Sequence, residues 1–177
     1  MMKIRRSQML GVMCALMGLS ALVLAQMQSP PKQVEPYSTP TVEGIANYFA
    51  YSAKLSTGGL VSEAALAELK AQGFEQVIDL RSLAENPEAE GESAKALGLH
   101  WLNFPMAGEL ASAEQIQQFG AALGDKKTLV HCRSGNRVGM AWALWQISQG
   151  VELEQAIAEG RAMGMKDSFE QAIRAQH

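Results

Sequence analysis

The fold assignment starts from the stretch Thr128-Leu-Val-His-Cys-Arg-Ser-Gly-Asn-Arg-Val-Gly139. Residues 128–131 are predicted to form a short buried strand, residues 132–137 a loop, and residues 138–148 a helix that ends before Gly150. In a parallel sheet, a loop at the carboxyl end of a strand lies in the crevice where such folds bind ligands. The sequence therefore predicts a ligand site in this loop.

The loop combines several features that bind an anion. Backbone N–H groups converge where a tight loop enters a helix, and the helix N-terminus adds partial positive charge. Gly135 permits the turn, while Arg133 and Arg137 add two full charges. Cys132 is predicted to be a nucleophile, because cations and a helix N-terminus favour the reactive thiolate. The alternative is an inert buried cysteine, which gives no reason for the two arginines.

Each remaining residue of the loop has a predicted part in binding. The planar guanidinium of Arg137 can hold two oxygens of a tetrahedral anion. The other binding residues are predicted to be His131, Arg133, Ser134, Gly135 and Asn136. His131 is expected to fix the geometry of the loop or the thiolate through hydrogen bonds. The sequence has no zinc-ligand spacing and no nucleotide-binding fingerprint, so we expect no metal and no cofactor.

Strands and helices alternate along the rest of the chain. Strands are predicted within residues 47–55, 75–80, 99–104 and 128–131, and helices over 62–72, 93–97, 112–123, 138–148, 152–163 and 167–175. This alternation predicts an α/β fold with a mainly parallel central sheet flanked by helices, and a helical C-terminal tail. The glutamates of residues 85–92 are predicted to form a solvated acidic loop. Asp79 and Arg81, at a strand end, are expected to support the loop of residues 132–137, called the nucleophile loop below; the alternative is that they pair with each other.

The N-terminal segment has the pattern of a secretory signal. A basic start at residues 3–6 precedes an apolar run over residues 9–25, and Ala25 supplies a small residue before Gln26. We expect residues 1–25 to be removed and the protein to be exported to the periplasm, without stable membrane association afterwards. Retention as an anchor is the alternative, although 17 apolar residues are at the short limit for a span.

Composition and charge bound the rest of the chain. Residues 26–44 carry four of the six prolines and are predicted to be a linker, with one domain over residues 45–177. Removal of the signal would change the net charge from −3 to −6, which argues against nucleic-acid binding. It would also leave Cys132 as the only cysteine, so an internal disulfide cannot explain that residue.

The loop motif resembles the active site of cysteine-dependent protein phosphatases. Residues 51–175 are more closely similar to the bacterial dual-specificity-phosphatase-like domains named for a beta-lactamase-hydrolase-like protein. The matching pieces are Gly58-Gly59 before Ser62, the strand Val77-Ile78-Asp79-Leu80-Arg81, Asn103-Phe104-Pro105, and His131 to Arg137 followed by Gly139. The resemblance implies a cysteine-phosphatase fold. It also implies hydrolysis of a phosphorylated protein or small molecule through a cysteinyl-phosphate intermediate on Cys132.

Two departures from the phosphatase pattern leave other functions open. Four residues separate Cys132 from Arg137, where tyrosine and dual-specificity phosphatases have five, and Val138 stands where they have Ser or Thr. The four-residue spacing is that of rhodanese-type sulfurtransferases, which would carry a persulfide on Cys132. A non-catalytic module that binds oxyanions is the third alternative. His131 and the order of elements favour the phosphatase.

The resemblance also indicates where a general acid should lie. Related phosphatases place an aspartate on a mobile loop after the strand that precedes the nucleophile's strand. Here that loop is residues 105–110, and its one carboxyl group belongs to Glu109. We therefore predict Glu109 as the general acid, with Asp79 as the second choice; the alternative is that Glu109 is an exposed loop charge.

Overall fold

A five-stranded sheet lies at the centre of the computed structural model, which describes residues 34–37 and 41–177. The strands are β1 (Phe49–Ala50), β2 (Leu55–Gly58), β3 (Gln76–Asp79), β4 (His100–Asn103) and β5 (Thr128–His131). Across the sheet they follow the order β1-β2-β5-β3-β4. The edge pair β1–β2 is antiparallel, and the other three pairs are parallel. The predicted mainly parallel sheet is confirmed.

The helices follow the strands as the alternation predicts. They are α1 (Glu63–Ala71), α2 (Glu88–Ala96), α3 (Ala113–Leu123), α4 (Asn136–Ser148), α5 (Leu153–Ala162) and α6 (Asp167–Arg174), with a 3-10 turn at Leu83–Glu85. The side chain of Ser62 caps α1 by accepting a hydrogen bond from the Ala65 N–H. Ser112 and Gln115 form the capping box of α3. The predicted helical C-terminal part is confirmed.

Helices cover both faces of the sheet because the central strands carry consecutive apolar residues, whose side chains point to opposite faces. Val77 and Leu129 face a core cluster with α1 and α2, whereas Ile78 and Val130 face a second cluster built around α4. Residues 138–143 of α4 are all buried, so this helix is the centre of the second cluster. The nucleophile loop therefore joins the central strand to the most buried helix.

The acidic segment after β3 differs from its prediction. Residues 85–92 were expected to form a loop before a helix at 93–97, but α2 begins at Glu88. Glu88 and Glu90 lie in its first turn, where negative charge stabilises the positive end of the helix dipole. Gly91 lets α2 approach β4, because a Cβ there would lie 2.8 Å from the Trp101 ring. Glu88 and Glu90 therefore belong to the first turn of α2 rather than to a loop.

The N-terminal predictions fall mostly outside the described residues. Residues 1–25, the predicted signal, are not described, and of the predicted linker only 34–37 and 41–44 are. Val42, inside that linker, is buried in the cluster that includes Ile45 and Leu66. The packing thus extends three residues before the predicted domain boundary. Among the described helices, none has the length and apolar character needed to cross a membrane.

Candidate active site

The nucleophile loop lies at the carboxyl end of the central strand, as predicted. β5 ends at His131, Cys132 follows with 1% of its surface exposed, and α4 begins at Asn136. Gly135 is the N-cap of α4 and has a φ of 84°, a left-handed conformation that favours glycine. Cys132 therefore lies at the base of a tight turn that leads directly into a helix N-terminus.

The carbonyl groups of the loop are bound by residues outside it. The Arg133 oxygen accepts from the Leu60 N–H at 3.2 Å, and the Ser134 oxygen accepts from the Asn47 side-chain amide at 3.1 Å. By contrast, apart from the bridge between Gly59 and Ser134, no described residue accepts a hydrogen bond from the backbone N–H groups of residues 133–138. Most of these donors are therefore available to an anion at the helix N-terminus that follows Cys132.

Glycine allows neighbouring backbone to close around the loop. A Cβ on Gly135 would lie 2.4 Å from the Met163 oxygen, between α5 and α6. A Cβ on Gly59 would lie 3.0 Å from the Arg133 oxygen, and one on Gly139 would lie 2.3 Å from the Gly160 oxygen. The side of the loop facing β2 and the α5–α6 turn is thus fixed by direct backbone packing.

Arg137 is held by a carboxylate that the sequence analysis had placed in solvent. Its two terminal nitrogens donate to the two oxygens of Glu85, each at 2.7 Å. One nitrogen also lies 3.3 Å from the Met106 carbonyl oxygen. The hydrogen bond to Glu85 raises the pKa of Arg137, burial opposes this in part, and the negative charge of Glu85 raises the pKa further. The same hydrogen bond, opposed in part by burial, lowers the pKa of Glu85 to about 2. Both groups are charged at neutral pH.

His131 lies within a buried ionic network. Its Nε2 lies 2.8 Å from Glu90 Oε1 and 3.8 Å from Asp79 Oδ1. Arg81 joins the two carboxylates, with Nη2 at 2.6 Å from Asp79 Oδ2 and 2.8 Å from Glu90 Oε2. Burial alone would lower the pKa of Arg81, but these hydrogen bonds and charges raise it overall. Asp79 and Arg81 therefore pair with each other, which is the alternative that the sequence left open, and Asp79 also lies near His131 at the start of the loop.

The same network contains the one candidate metal site found among the described residues. Oxygen atoms of Asp79 and Glu90 and a nitrogen of His131 all lie within 4.8 Å of one another. However, the Arg81 guanidinium binds both carboxylates and already supplies a positive charge. We interpret the cluster as an ionic network rather than a metal centre.

Two of the four glutamates in the acidic segment were assigned wrongly to solvent. Glu85 binds Arg137 and Glu90 contacts His131, whereas Glu88 and Glu92 are exposed as predicted. The missed signal is helical spacing: Glu90, Gly91 and Ala94 share one face once the helix is started at residue 88. Both missed residues support the predicted site from one segment.

The remaining predicted residues lie on or near the loop, with different surroundings. The Arg133 side chain is exposed, and the Asn136 side chain accepts from the Lys166 N–H at 2.8 Å. Glu109 is exposed on the loop between β4 and α3, and no described residue hydrogen-bonds to its side chain. Met106 on the same loop contacts Arg137, so this loop borders the site. Asp79 is fully buried and bound to Arg81, so its carboxyl group has no exposed surface that could meet a leaving group.

Comparison with known proteins identifies the family. The family model described as "Beta-lactamase hydrolase-like protein, phosphatase-like domain" matches residues 48–150. Beta-lactamase hydrolase-like proteins from two strains of Xylella fastidiosa, Temecula1 and 9a5c, are each 32% identical over 101 residues. These matches cover 52% of this chain but only 23% of each relative, so the chain spans about a quarter of their length.

Solved structures share the fold at low sequence identity. A candidate phosphatase (DUF442) from Shewanella putrefaciens CN-32 has a TM-score of 0.59 and 21% identity, over 80% of this chain and 99% of its own. TpbA from P. aeruginosa in complex with pTyr has a TM-score of 0.60 and 19% identity, over 75% of this chain and 85% of its own. Since the family model covers more than half of the sequence, this chain belongs to the phosphatase-like domain family of beta-lactamase hydrolase-like proteins.

Proposed function

We propose that the chain hydrolyses phosphomonoesters through a cysteinyl-phosphate intermediate on Cys132. The observation that carries this proposal is the loop after Cys132, in which most backbone N–H groups of residues 133–138 have no acceptor among the described residues. The Cys132 thiolate attacks phosphorus, the bond from phosphorus to the ester oxygen breaks, and the leaving group takes a proton. Water then attacks the phosphoenzyme, which releases phosphate and restores the thiolate. The N–H groups stabilise the phosphoryl oxygens in both steps.

Arg137 is proposed to bind the phosphoryl oxygens while Glu85 fixes its orientation. A guanidinium held at both terminal nitrogens by one carboxylate has little freedom to turn, so its remaining N–H groups keep a defined direction. Glu85 is ionised above a pKa of about 2 and therefore has no proton to give the leaving group at neutral pH. Its role is to position, and the acid must come from elsewhere.

Glu109 remains the proposed general acid. It lies on the loop that contacts Arg137 through Met106, and Gly108 beside it would let the loop swing towards a bound substrate. Glu109→Gln should slow an alkyl phosphate by about 10²-fold or more, the usual size of acid catalysis, and p-nitrophenyl phosphate much less. Equal effects on both substrates, or none, would remove Glu109 from the reaction.

The function is tested by phosphate release and by trapping of the intermediate. Cys132→Ser should abolish hydrolysis of p-nitrophenyl phosphate while vanadate still binds, and Arg137→Lys should reduce it strongly, since lysine cannot form the bidentate contact. Acid quenching of the wild type should yield a phosphorylated peptide that contains Cys132. Full activity of Cys132→Ser, or a phosphate label on another residue, would contradict the mechanism.

Sulfur transfer is the second candidate, and one observation favours it. Four residues separate Cys132 from Arg137, as in rhodanese-type enzymes. Rapid formation of thiocyanate from thiosulfate and cyanide, with no phosphate release, would establish that activity in place of the phosphatase. Vanadate binding without phosphate release and without thiocyanate formation would establish the non-catalytic module that binds oxyanions.

Substrate class and location complete the proposal. The fold is shared with TpbA, which was solved in complex with pTyr, and this supports a phosphorylated protein or small molecule as substrate. The basic and apolar start of the sequence supports export to the periplasm after removal of residues 1–25. The intact mass of the native protein should therefore correspond to a chain that begins at or near Gln26. Full-length protein in the membrane fraction would instead establish an anchor.

A further inference from the structure

An exposed side chain from a distant part of the sequence binds the backbone of the nucleophile loop. We propose that Asn47 is a positioning residue, whose amide keeps the carbonyl group of the Ser134–Gly135 peptide turned away from a bound anion. This inference rests on the proposed role of the loop as an anion site. It concerns anion binding, however, and can be tested without any turnover.

The first step is the hydrogen bond itself. Asn47 Nδ2 lies 3.1 Å from the Ser134 oxygen, although the two residues are 87 positions apart. A carbonyl oxygen only accepts hydrogen bonds, so the amide nitrogen must be the atom that faces it. Within residues 34–37 and 41–177, no other hydrogen bond to this oxygen is found. The Asn47 side chain is exposed, so burial in the core does not explain its place beside the loop.

The second step is how the sequence brings Asn47 to the loop. The Ala46 N–H donates to the Leu60 oxygen at 3.0 Å, and the Gly59 N–H donates to the Ala46 oxygen at 2.6 Å. A Cβ on Gly59 would lie 3.1 Å from the Ala46 Cβ and 3.1 Å from the Ser134 Cα. Glycine at position 59 therefore lets both segments approach the end of β2, and this approach holds Asn47 within reach of the loop.

The third step is the backbone conformation of Asn47. Its φ of 50° lies in the left-handed region, which is costly for residues that carry a Cβ, although asparagine tolerates it better than most. Strain of this kind persists where the surroundings impose it, and it is concentrated at functional sites. Among the described non-glycine residues, only Asn86 shares a positive φ, at 51°. Asn86 is also exposed, and its side chain has no hydrogen bond to any described residue. The two asparagines therefore form a matched pair.

The fourth step is the freedom of the peptide that Asn47 binds. Gly135 has a φ of 84°, and glycine adopts positive and negative φ with similar ease, so the Ser134–Gly135 peptide could turn over at little cost. Turning would aim a partially negative oxygen at the anion and weaken its binding. A Cβ on Gly164 would lie 3.1 Å from the Ser134 oxygen, but the Gly164 N–H donates to the Arg161 oxygen instead. Among the described residues, the Asn47 amide is thus the polar group that holds this carbonyl in its direction.

The test makes the same substitution at the two asparagines. Asn47→Gly removes the amide and the cost of the positive φ together, so thermal stability should stay close to that of the wild type. Orthophosphate should nevertheless protect Cys132 from iodoacetamide with a dissociation constant raised by roughly 3- to 10-fold, the equivalent of one hydrogen bond. Asn86→Gly should leave this dissociation constant within about twofold of the wild type, as expected for an exposed position away from the loop.

A second pair of variants keeps the test decisive if Asn47→Gly does not fold. Asn47→Asp keeps the size of the side chain and its tolerance of a left-handed backbone, but a carboxylate cannot donate to the Ser134 oxygen. It should weaken orthophosphate binding at least as much as Asn47→Gly does. Asn86→Asp adds the same charge without the loss of a hydrogen bond, and it should weaken orthophosphate binding less.

These measurements separate positioning from a purely structural role. If Asn47→Gly and Asn47→Asp bind orthophosphate as the wild type does, or if the matching Asn86 variants weaken binding equally, the proposal is wrong. An absence of orthophosphate protection in the wild type would overturn both the inference and the proposed anion site. If binding weakens as expected but no form releases phosphate from p-nitrophenyl phosphate, the inference holds and the proposed function fails.

Discussion

The two sides of the nucleophile loop are held in place by different physical means. On the β3 side, charged side chains do this: Glu85 binds Arg137, and Glu90 contacts His131. On the side of β2 and the α5–α6 turn, backbone lies directly against backbone, with glycine at the close approaches. The β3 side, called the charged side below, is held by electrostatic contacts, and the side of β2 and the α5–α6 turn, called the glycine side, is held by steric packing.

The difference separates the position of the loop from its chemistry. Backbone packing fixes where the loop lies but adds no net charge, whereas the carboxylates contact Arg137 and His131, for which we propose roles in the reaction. Substitutions on the glycine side should therefore lower stability first. Substitutions on the charged side should lower activity with a smaller loss of stability.

The largest expected effect tests the glycine side. In Gly139→Ala, the new Cβ would lie 2.3 Å from the Gly160 oxygen and 2.8 Å from the Met165 backbone nitrogen, and neither can move alone. We expect a loss of about 3 kcal/mol in the free energy of unfolding, at the upper end of the usual overpacking range. The denaturation midpoint in urea measures it. Gly108→Ala is the control, since nothing lies within 4 Å of its Cβ. Helix propensity alone would make Gly139→Ala more stable than the wild type. Unchanged or increased stability would therefore mean that the backbone around Gly139 is not tightly packed.

The next effect tests the charged side. Glu85→Gln keeps the shape of the side chain but removes the charge that holds both terminal nitrogens of Arg137. We expect kcat/KM to fall by roughly 10- to 100-fold, less than the ~10²–10³ lost when an oxyanion donor is deleted. Glu88→Gln, on an exposed position of α2, should have wild-type kinetics.

The role of Glu85 can be isolated with a double variant. If Glu85 acts only through Arg137, Glu85→Gln should have little further effect in an Arg137→Lys background. Additive losses would show that Glu85 acts on the substrate directly.

The comparison also explains what the sequence could predict. β5, the serine caps of α1 and α3, and the Cys132–Arg137 loop depend on neighbouring residues, and each was located correctly. Glu85 and Arg137, by contrast, are 52 residues apart, and their pairing depends on how the segment after β3 packs against α4. Nothing local marked Glu85 as different from the exposed Glu88. Charge composition alone indicated solvent, and tertiary packing overrode it.

A smaller effect concerns the loss of stability at acidic pH. The pKa of Glu85 is lowered to about 2 by its hydrogen bond to Arg137, below the ordinary value of 4.5. The contribution of this pair to stability is therefore complete above pH 4.5 and is lost as the pH falls towards 2. It should be on the order of 1 kcal/mol, because a quarter of the side chain is exposed and water screens the pair. Thermal unfolding between pH 5 and 2 should show a smaller pH dependence in Glu85→Gln than in the wild type. Equal slopes would mean that other carboxylates account for the acid sensitivity.

The smallest expected effect concerns an ion pair away from the site and tests whether such a pair contributes to stability or to activity. Arg174 of α6 binds Glu154 of α5 through both carboxylate oxygens, and this bond lowers the pKa of Glu154. The Glu154 side chain is 57% exposed, so water screens the pair and ordering two long side chains offsets the attraction. Glu154→Gln should therefore change the free energy of unfolding by less than about 1 kcal/mol and leave kcat/KM unchanged. Urea denaturation and p-nitrophenyl phosphate kinetics measure the two quantities on the same preparation. A loss of activity comparable to that of Glu85→Gln would show that the α5–α6 turn transmits charge changes to the loop, and the division between a steric and an electrostatic side would then be wrong.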